Sequence, residues 1–320
     1  MKESDKEEEA VEIERPAAQR VNRVALKNFR NYSELEVMLS PGFHVVAGPN
    51  AQGKTNFLEA LYLLSSTRLL RGMKDSEAVL EGESRAVAEA EIGSSATIIG
   101  IVLERGIRKR ASLNRLNLPR AADLIGRLPC VCMSSADLPI VSGEPSDRRL
   151  FLDLELSQIF PAYLRHLTLY KRAVEQRNAL LKHAQEGYVQ PEMFESWEEQ
   201  MAEHGAGVRQ IREAYVRELS SHAEAAHSFL GGGDQISLSY EPKDIGMEAP
   251  ELRELLASSR AAEIARGSST VGPHRDELSI NVAGKPARLF GSQGQQRTAV
   301  LALKLATLEL GREKLGEAPL

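Results

Sequence analysis

Gly48-Pro49-Asn50-Ala51-Gln52-Gly53-Lys54-Thr55 decides the fold class of this chain. The eight residues satisfy G-x-x-x-x-G-K-[ST], the pattern of a phosphate-binding loop. Glycines let the backbone wrap closely, so that successive N–H groups point inward at an anion. Upstream, Phe43-His44-Val45-Val46-Ala47 is a short apolar run that predicts a buried strand. Downstream, Asn56-Phe57-Leu58-Glu59-Ala60-Leu61-Tyr62-Leu63-Leu64 predicts a helix, whose positive dipole end would face the loop. Lys54 would bring a point charge to the β- and γ-phosphates, and the Thr55 hydroxyl would coordinate Mg²⁺. The expected ligands are therefore ATP and Mg²⁺. The plain alternative is a Gly-rich turn that merely starts a helix.

Residues 1–20 read as a flexible acidic tail, with seven acids against two bases in the first 14 residues. Residues 21–32 read as a strand with a basic turn. Strand character follows over 86–92, 96–103, 111–118 and 130–133. Helical periodicity covers 146–185, interrupted near Pro161, and 192–230, stopped by Gly231-Gly232-Gly233. A further helix is expected over 251–266, strands over 270–290 with a turn at Gly284, and a closing helix over 292–315. Charge divides along the same lines. Residues 141–267 hold 14 bases and 21 acids, whereas 15–140 and 268–320 together hold 24 bases and 17 acids. Two bodies with different partners are implied. Of the 320 residues, 42% are apolar and 27% charged, a globular mixture rather than a disordered or collagenous one. No apolar run is long enough to span a membrane. Cys130 and Cys132 are the only cysteines and are badly placed to pair, which points to the reducing cytoplasm.

A second motif is Gly291-Ser292-Gln293-Gly294-Gln295-Gln296-Arg297. Ser292 and Gln295 form a capping box ahead of the helix over 300–310, and a Ser-capped helix start beside a glycine is also an anion site. A third feature is basic: Arg105, Arg108, Lys109, Arg110, Arg115 and Arg120 crowd one strand-like stretch beside Glu104. It reads as a phosphate-contacting ridge for DNA or as a solvated hairpin. His274-Arg275-Asp276 follows a Gly-Pro turn, and no nucleophile motif makes it a catalytic set.

Beside the phosphate loop, Gly291–Arg297 looks like the signature motif of ABC-type ATPases, which closes over ATP held by the phosphate loop of another subunit. With Leu26-Lys27-Asn28-Phe29-Arg30-Asn31-Tyr32, Ser146-Asp147-Arg148-Arg149-Leu150-Phe151-Leu152-Asp153, Gln176-Arg177-Asn178-Ala179-Leu180-Leu181-Lys182 and Thr270-Val271-Gly272-Pro273-His274-Arg275-Asp276, the chain resembles the RecF family. That family is related to the heads of Rad50 and SMC proteins. The resemblance runs from about residue 21 to the end. It implies an ATP- and DNA-binding protein of replication, recombination, repair and the SOS response. Such a protein dimerises on ATP and acts with RecR and RecO in loading RecA. It also implies a nucleotide contact for Arg30 and a contact of Ser292 and Gly294 with ATP on a second subunit.

Two departures from the family stand out. Met133-Ser134-Ser135-Ala136-Asp137 replaces an apolar strand running into Ser-Pro-Glu-Asp, keeping only the final Asp. No apolar run ending in paired acids, the Walker B motif, follows the signature before Leu320. The segment Leu150-Phe151-Leu152-Asp153 is a lookalike in helical sequence. No catalytic residue is therefore assigned, and the 320 residues are expected to be part of a longer chain and to hydrolyse ATP negligibly.

The expected architecture is α/β: a P-loop ABC-type ATPase head made of 21–140 and 268–320, with an all-helical arm, 141–267, inserted between them. The alternative function is the nucleotide-binding subunit of a membrane transporter. It predicts a short helical insertion, against 237 positions between Thr55 and Ser292.

Overall fold

The computed structural model describes residues 20–70, 74–187, 189–231 and 233–320. The expected acidic tail lies, except for Arg20, outside the described residues, as does Gly232. The chain opens with a hairpin, β1 (Val21–Phe29) and β2 (Tyr32–Met38), and then reaches helix α1 (Lys54–Ser66). Strands β3 (Arg85–Ile92), β4 (Thr97–Glu104), β5 (Ile107–Leu113) and β6 (Leu116–Asn117) complete an antiparallel sheet in the order β2-β1-β3-β4-β5-β6. Period-2 alternation sets its faces. Ala86, Ala88, Ala90 and Ile92 of β3 are buried, while Arg85, Val87, Glu89 and Glu91 point the other way. The small β3 side chains sit beside Val24 and Leu26 of β1 and share one core with Phe57, Leu61 and Leu64 of α1.

Helices dominate the second half: α2 (Pro139–Ser142), α3 (Pro145–Ile159), α4 (Pro161–Glu186) and α5 (Glu192–Phe229). Proline at the first turns of α3 and α4 suits a position whose N–H has no intrahelical partner, and it parts the two helices near Pro161. Strand β7 (Ile236–Glu241) and helix α6 (Ala249–Arg266) follow, then β8 (Glu277–Val282), β9 (Lys285–Pro286), α7 (Ala287–Phe290) and α8 (Gln293–Leu315). A three-stranded sheet runs β7-β8-β9.

Several expectations change. Residues 111–118 are not one strand. Asn114 and Arg115 both adopt positive φ and fold the stretch into the β5–β6 hairpin, because two left-handed residues make a turn that matches strand twist. Residues 130–133 form no strand; the Val131 N–H donates to the Leu320 carbonyl at 2.9 Å and the Cys130 N–H to Gln158 Oε1 at 2.9 Å. The expected buried strand at 43–47 is neither paired nor buried. Phe43 is 93% exposed and Val45 77% exposed. Among the described residues no strand lies beside it, and an extended segment without a ladder partner has nothing to pack against.

The arm is not all helical, because β7 lies within 141–267. It pairs with β8 along its whole length, from Ile236↔Val282 to Glu241↔Glu277. Its short alternating pattern, flanked by helices, gave too little signal to stand out. One hydrophobic cluster also runs across the expected boundaries, joining Phe151, Leu156, Tyr215 and Leu238 to Leu278, Ile280, Leu303 and Leu310.

Candidate nucleotide-binding site

The loop at 48–53 has the backbone that its glycines suggest. Gly48 has φ 148°, Ala51 φ 65° and Gly53 φ 95°. Gly53 caps α1, so the free N–H groups of its first turn open toward the loop. A Cβ at Gly53 would lie 2.7 Å from both Asn31 Oδ1 and the Tyr32 hydroxyl. Only glycine fits there, on two counts: the left-handed φ and the close approach of the β1–β2 turn. Asn56 Nδ2 donates to Asn31 Oδ1 at 2.8 Å, a second stitch between that turn and α1. The Lys54 ammonium closes across the loop, donating to the carbonyl oxygens of Gly48 at 2.7 Å and Pro49 at 2.6 Å. Asn50, Ala51, Gln52 and Thr55 are exposed.

Arg30 stands in the same turn with φ 55°. Its guanidinium makes a two-bond fork with Glu59, Nε at 2.8 Å and Nη2 at 2.9 Å, and donates to the Glu77 carbonyl at 3.1 Å. Glu59 is buried on α1, so it fixes the Arg30 head against that helix. The close approach at Gly53 thus sets Asn31 and Tyr32 against the loop, while the Arg30 head itself is held by Glu59 and the Glu77 carbonyl, and the expected nucleotide contact of Arg30 came only from the family resemblance. Asn31, Tyr32 and Glu59 were missed as members of the site. Nothing in the spacing marks them, because their role is contact across the fold.

Ser292 caps α8. Its hydroxyl accepts from the Gln295 N–H at 3.2 Å, and Gln295 Oε1 accepts from the Ser292 N–H at 2.8 Å, the reciprocal box expected from the sequence. Ser292 and Gly294 are exposed, and a Cβ on Gly294 would meet nothing nearer than the Ser292 hydroxyl at 3.9 Å. Among the described residues no hydrogen bond or ion pair joins 291–297 to 48–55. The signature therefore faces outward rather than onto the loop of its own chain. Further along α8, buried Lys304 pairs with Glu155 of α3 at 3.1 Å and with Asp137 at 3.3 Å. The surviving Asp of the altered 133–137 segment is thereby tied to the signature helix.

The basic stretch does not form a single ridge. Arg108 and Arg110 point away from the core, and Arg110 pairs with Glu104. Lys109 points to the opposite face, where it donates to the Thr67 carbonyl at 2.6 Å and to Asp75 at 3.1 Å. Arg105 is bound to the carbonyls of Glu83 and Val79, both at 3.0 Å. Arg120 pairs with Asp123, whereas Arg115 is exposed at the β5–β6 turn. Strand alternation explains the split, since neighbours in sequence lie on opposite faces.

The other stretches that carry the resemblance converge on buried ion pairs. Asp276 accepts from Arg209 of α5 at 2.7 and 2.8 Å, and from the Tyr240 hydroxyl of β7. Arg148 of α3 forks onto Glu277 of β8 at 2.6 and 2.9 Å, and Arg212 of α5 meets Asp153 of α3 at 2.8 Å. Arg177 of α4 joins Glu198 of α5 at 3.0 Å and also pairs with Glu263 of α6. His274 accepts a 2.5 Å hydrogen bond at Nδ1 from Tyr170, and its Nε2 lies 3.1 Å from the Ser269 carbonyl. Burial pushes its imidazole down to about 4. These groups brace the helices against β7 and β8. His274-Arg275-Asp276 is part of that brace, which is more than the turn its sequence suggests.

The family described as "RecF/RecN/SMC N terminal domain" matches residues 20–315. A protein of Symbiobacterium thermophilum named "DNA replication and repair protein RecF" is 41% identical over 311 residues, covering 94% of this chain and 82% of the relative. One of the same name from Agathobacter rectalis is 35% identical, covering 93% and 83%. A solved structure described as "the recombination mediator protein RecF-ATP in RecFOR pathway" superposes with a TM-score of 0.90 at 29% identity, covering 96% of this chain and 85% of that one.

Proposed function

The chain belongs to the RecF family within the wider RecF/RecN/SMC group, and from that premise we propose that it is an ATP-binding DNA replication and repair protein. One observation carries the reading most. The 48–53 loop, with left-handed backbone at Gly48, Ala51 and Gly53, runs into α1 with Lys54 at its mouth and the Arg30 turn packed against it. The residues fit a nucleotide triphosphate. The first-turn N–H groups of α1 and the Lys54 ammonium would hold the phosphates, and the Thr55 hydroxyl would take one position on Mg²⁺. Mg²⁺ there would neutralise phosphate charge. Arg30, fixed by Glu59, would contribute a further positive group at the loop.

The outward-facing Ser292 and Gly294 support ATP-dependent pairing of two copies, each signature meeting the nucleotide on the other. DNA would be held through exposed bases of the head, with Arg108, Arg110 and Arg115 the members of the basic stretch best placed for phosphates. Arg105 and Lys109 would act chiefly by fixing the hairpin. The head of 21–140 and 268–320 would carry nucleotide and DNA, and 141–267 would serve as the arm. RecR and RecO would be its partners, upstream of RecA in the cytoplasm; the RecFOR pathway to which the structural relative belongs supports the first two.

Calorimetry with Mg-ATP tests the reading. The native chain should bind. Lys54→Ala should bind at least about tenfold more weakly, since a lost charge-assisted contact is worth about 1.5–3 kcal/mol. Equal affinity in the two proteins would overturn the assignment.

A further inference from the structure

The single helical turn α7 stands immediately before the signature and carries Leu289 and Phe290, 71% and 66% exposed. Apolar side chains scattered singly over a surface are ordinary. This pair is adjacent, and it is held in place. Ala287, at the start of the turn, is buried in the core that joins the helices to the second sheet. Its carbonyl oxygen accepts from the Gly291 N–H at 3.0 Å and from Gln296 Nε2 at 3.0 Å. A Cβ at Gly291 would lie 2.6 Å from that oxygen, so glycine is what lets the turn close. Gly291 and Gln296 of the 291–297 motif therefore fix α7, a task that neither the Ser292 cap nor a nucleotide contact accounts for. Arg288, between Ala287 and the pair, is drawn onto Glu144 at the start of α3.

What the pair meets follows from its surroundings. Phe290 lies two residue steps from Ser292, at most roughly 7 Å along the chain. The exposed face of the motif itself is polar: Ser292, Gln293, Gly294 and Arg297. A stable protein interface buries about 1,200–2,000 Å² around an apolar centre poor in charge. Nucleotide bridged by those polar groups supplies little of that centre. Leu289 and Phe290 supply it, and a twofold arrangement supplies each of them twice. A nucleic acid backbone would meet at α7 an apolar pair whose adjoining cation, Arg288, is already engaged.

We infer that Leu289 and Phe290 form the apolar part of the joint between two copies of this chain. When the signature meets ATP on a second copy, the pair packs against that copy beside its 48–55 loop. The inference rests on the ATP-dependent pairing set out above and names a surface that the pairing leaves unassigned.

Sedimentation equilibrium of the full chain with ATP tests it. The double variant Leu289→Ser with Phe290→Ser should raise the dimer dissociation constant at least about tenfold, since burying even one such side chain is worth that much. Leu289→Met with Phe290→Tyr should keep it near the native value. Calorimetry at concentrations too dilute for pairing should give the serine variant native ATP affinity, and its melting temperature should match the native one, because both side chains are already exposed. In a second measurement, Phe290→Trp is combined with Trp197→Phe, which leaves a sole tryptophan. Its emission should move to the blue when ATP is added and stay unchanged with ADP. A native chain that dimerises with ATP, beside a serine variant that dimerises equally well, would overturn this inference and leave the pairing standing. So would a dimer formed without a tryptophan shift, or a serine variant that loses ATP affinity as a monomer. A native chain that never dimerises with ATP would instead overturn the pairing, and this inference with it.

Discussion

Gly53 shows how one residue serves the loop twice. Its φ of 95° is a conformation that a side chain resists, and a Cβ would strike Asn31 and Tyr32 at 2.7 Å. Gly53→Ala should therefore cost about 1–3 kcal/mol of stability and displace the β1–β2 turn. A lowered melting temperature together with weaker ATP binding would bear this out, and unchanged values of both would refute it. The motif made Gly53 legible as a phosphate-loop residue. It could not reveal Asn31 and Tyr32, because a contact between residues 21 and 22 positions apart leaves no periodicity. His274 gives a second residue-scale prediction. Its imidazole is held down to about 4, below the usual value near 6.5, so the unfolded chain binds the extra proton first. The stabilisation is full above about pH 6.5 and is lost as pH falls toward 4, a change on the order of 3 kcal/mol. Denaturant titrations should show that slope for the native chain, and His274→Gln should flatten it. An equal slope in the variant would assign the acid sensitivity to the carboxylates instead.

At the scale of elements, the β4–β5 hairpin divides its charges by strand alternation. Lys109 is turned to Thr67 and Asp75, while Arg108 and Arg110 stay outside. A triple change of Arg108, Arg110 and Arg115 to Ala should weaken DNA binding irrespective of sequence. It should also reduce the salt dependence by up to about 0.9 log-log units per lost phosphate contact. Lys109→Ala should leave the salt slope unchanged and lower the melting temperature. Equal slopes for the native and triple-variant chains would show that the hairpin is only solvated. The long helices were legible because apolar residues at period 3.6 persist over many turns, and prolines and glycines punctuate them. Strand β7 was not, since six residues between helices carry little pattern and its partner β8 lies 36 or more positions away. The apolar run at 43–47 misled for a related reason. Hydrophobicity predicts that a segment can be buried, while burial itself requires a neighbouring strand.

At the scale of the molecule, two kinds of cohesion meet. The N-terminal sheet and α1 are held by an aliphatic core, with Val24, Leu26, Ile99 and Ile101 at its centre. The helices and the second sheet are braced by Arg177, Arg209 and Arg212, each buried among acids. Removing one partner of such a pair leaves an uncompensated charge worth about 3–5 kcal/mol, a large share of the ~5–15 kcal/mol that stabilises a domain. This accounts for why the stretches that carried the family resemblance outside the phosphate loop and signature are mostly brace residues. Lys304 links the signature helix to α3 and Asp137. In the proposed assembly ATP joins two copies through that outward-facing signature. Sedimentation velocity with ATP, with ADP and without nucleotide tests it most directly. The native chain should form dimers with ATP alone, and Ser292→Arg should remain monomeric while still binding ATP. A native chain that stays monomeric in every condition, or a Ser292→Arg variant that dimerises with ATP like the native protein, would contradict it.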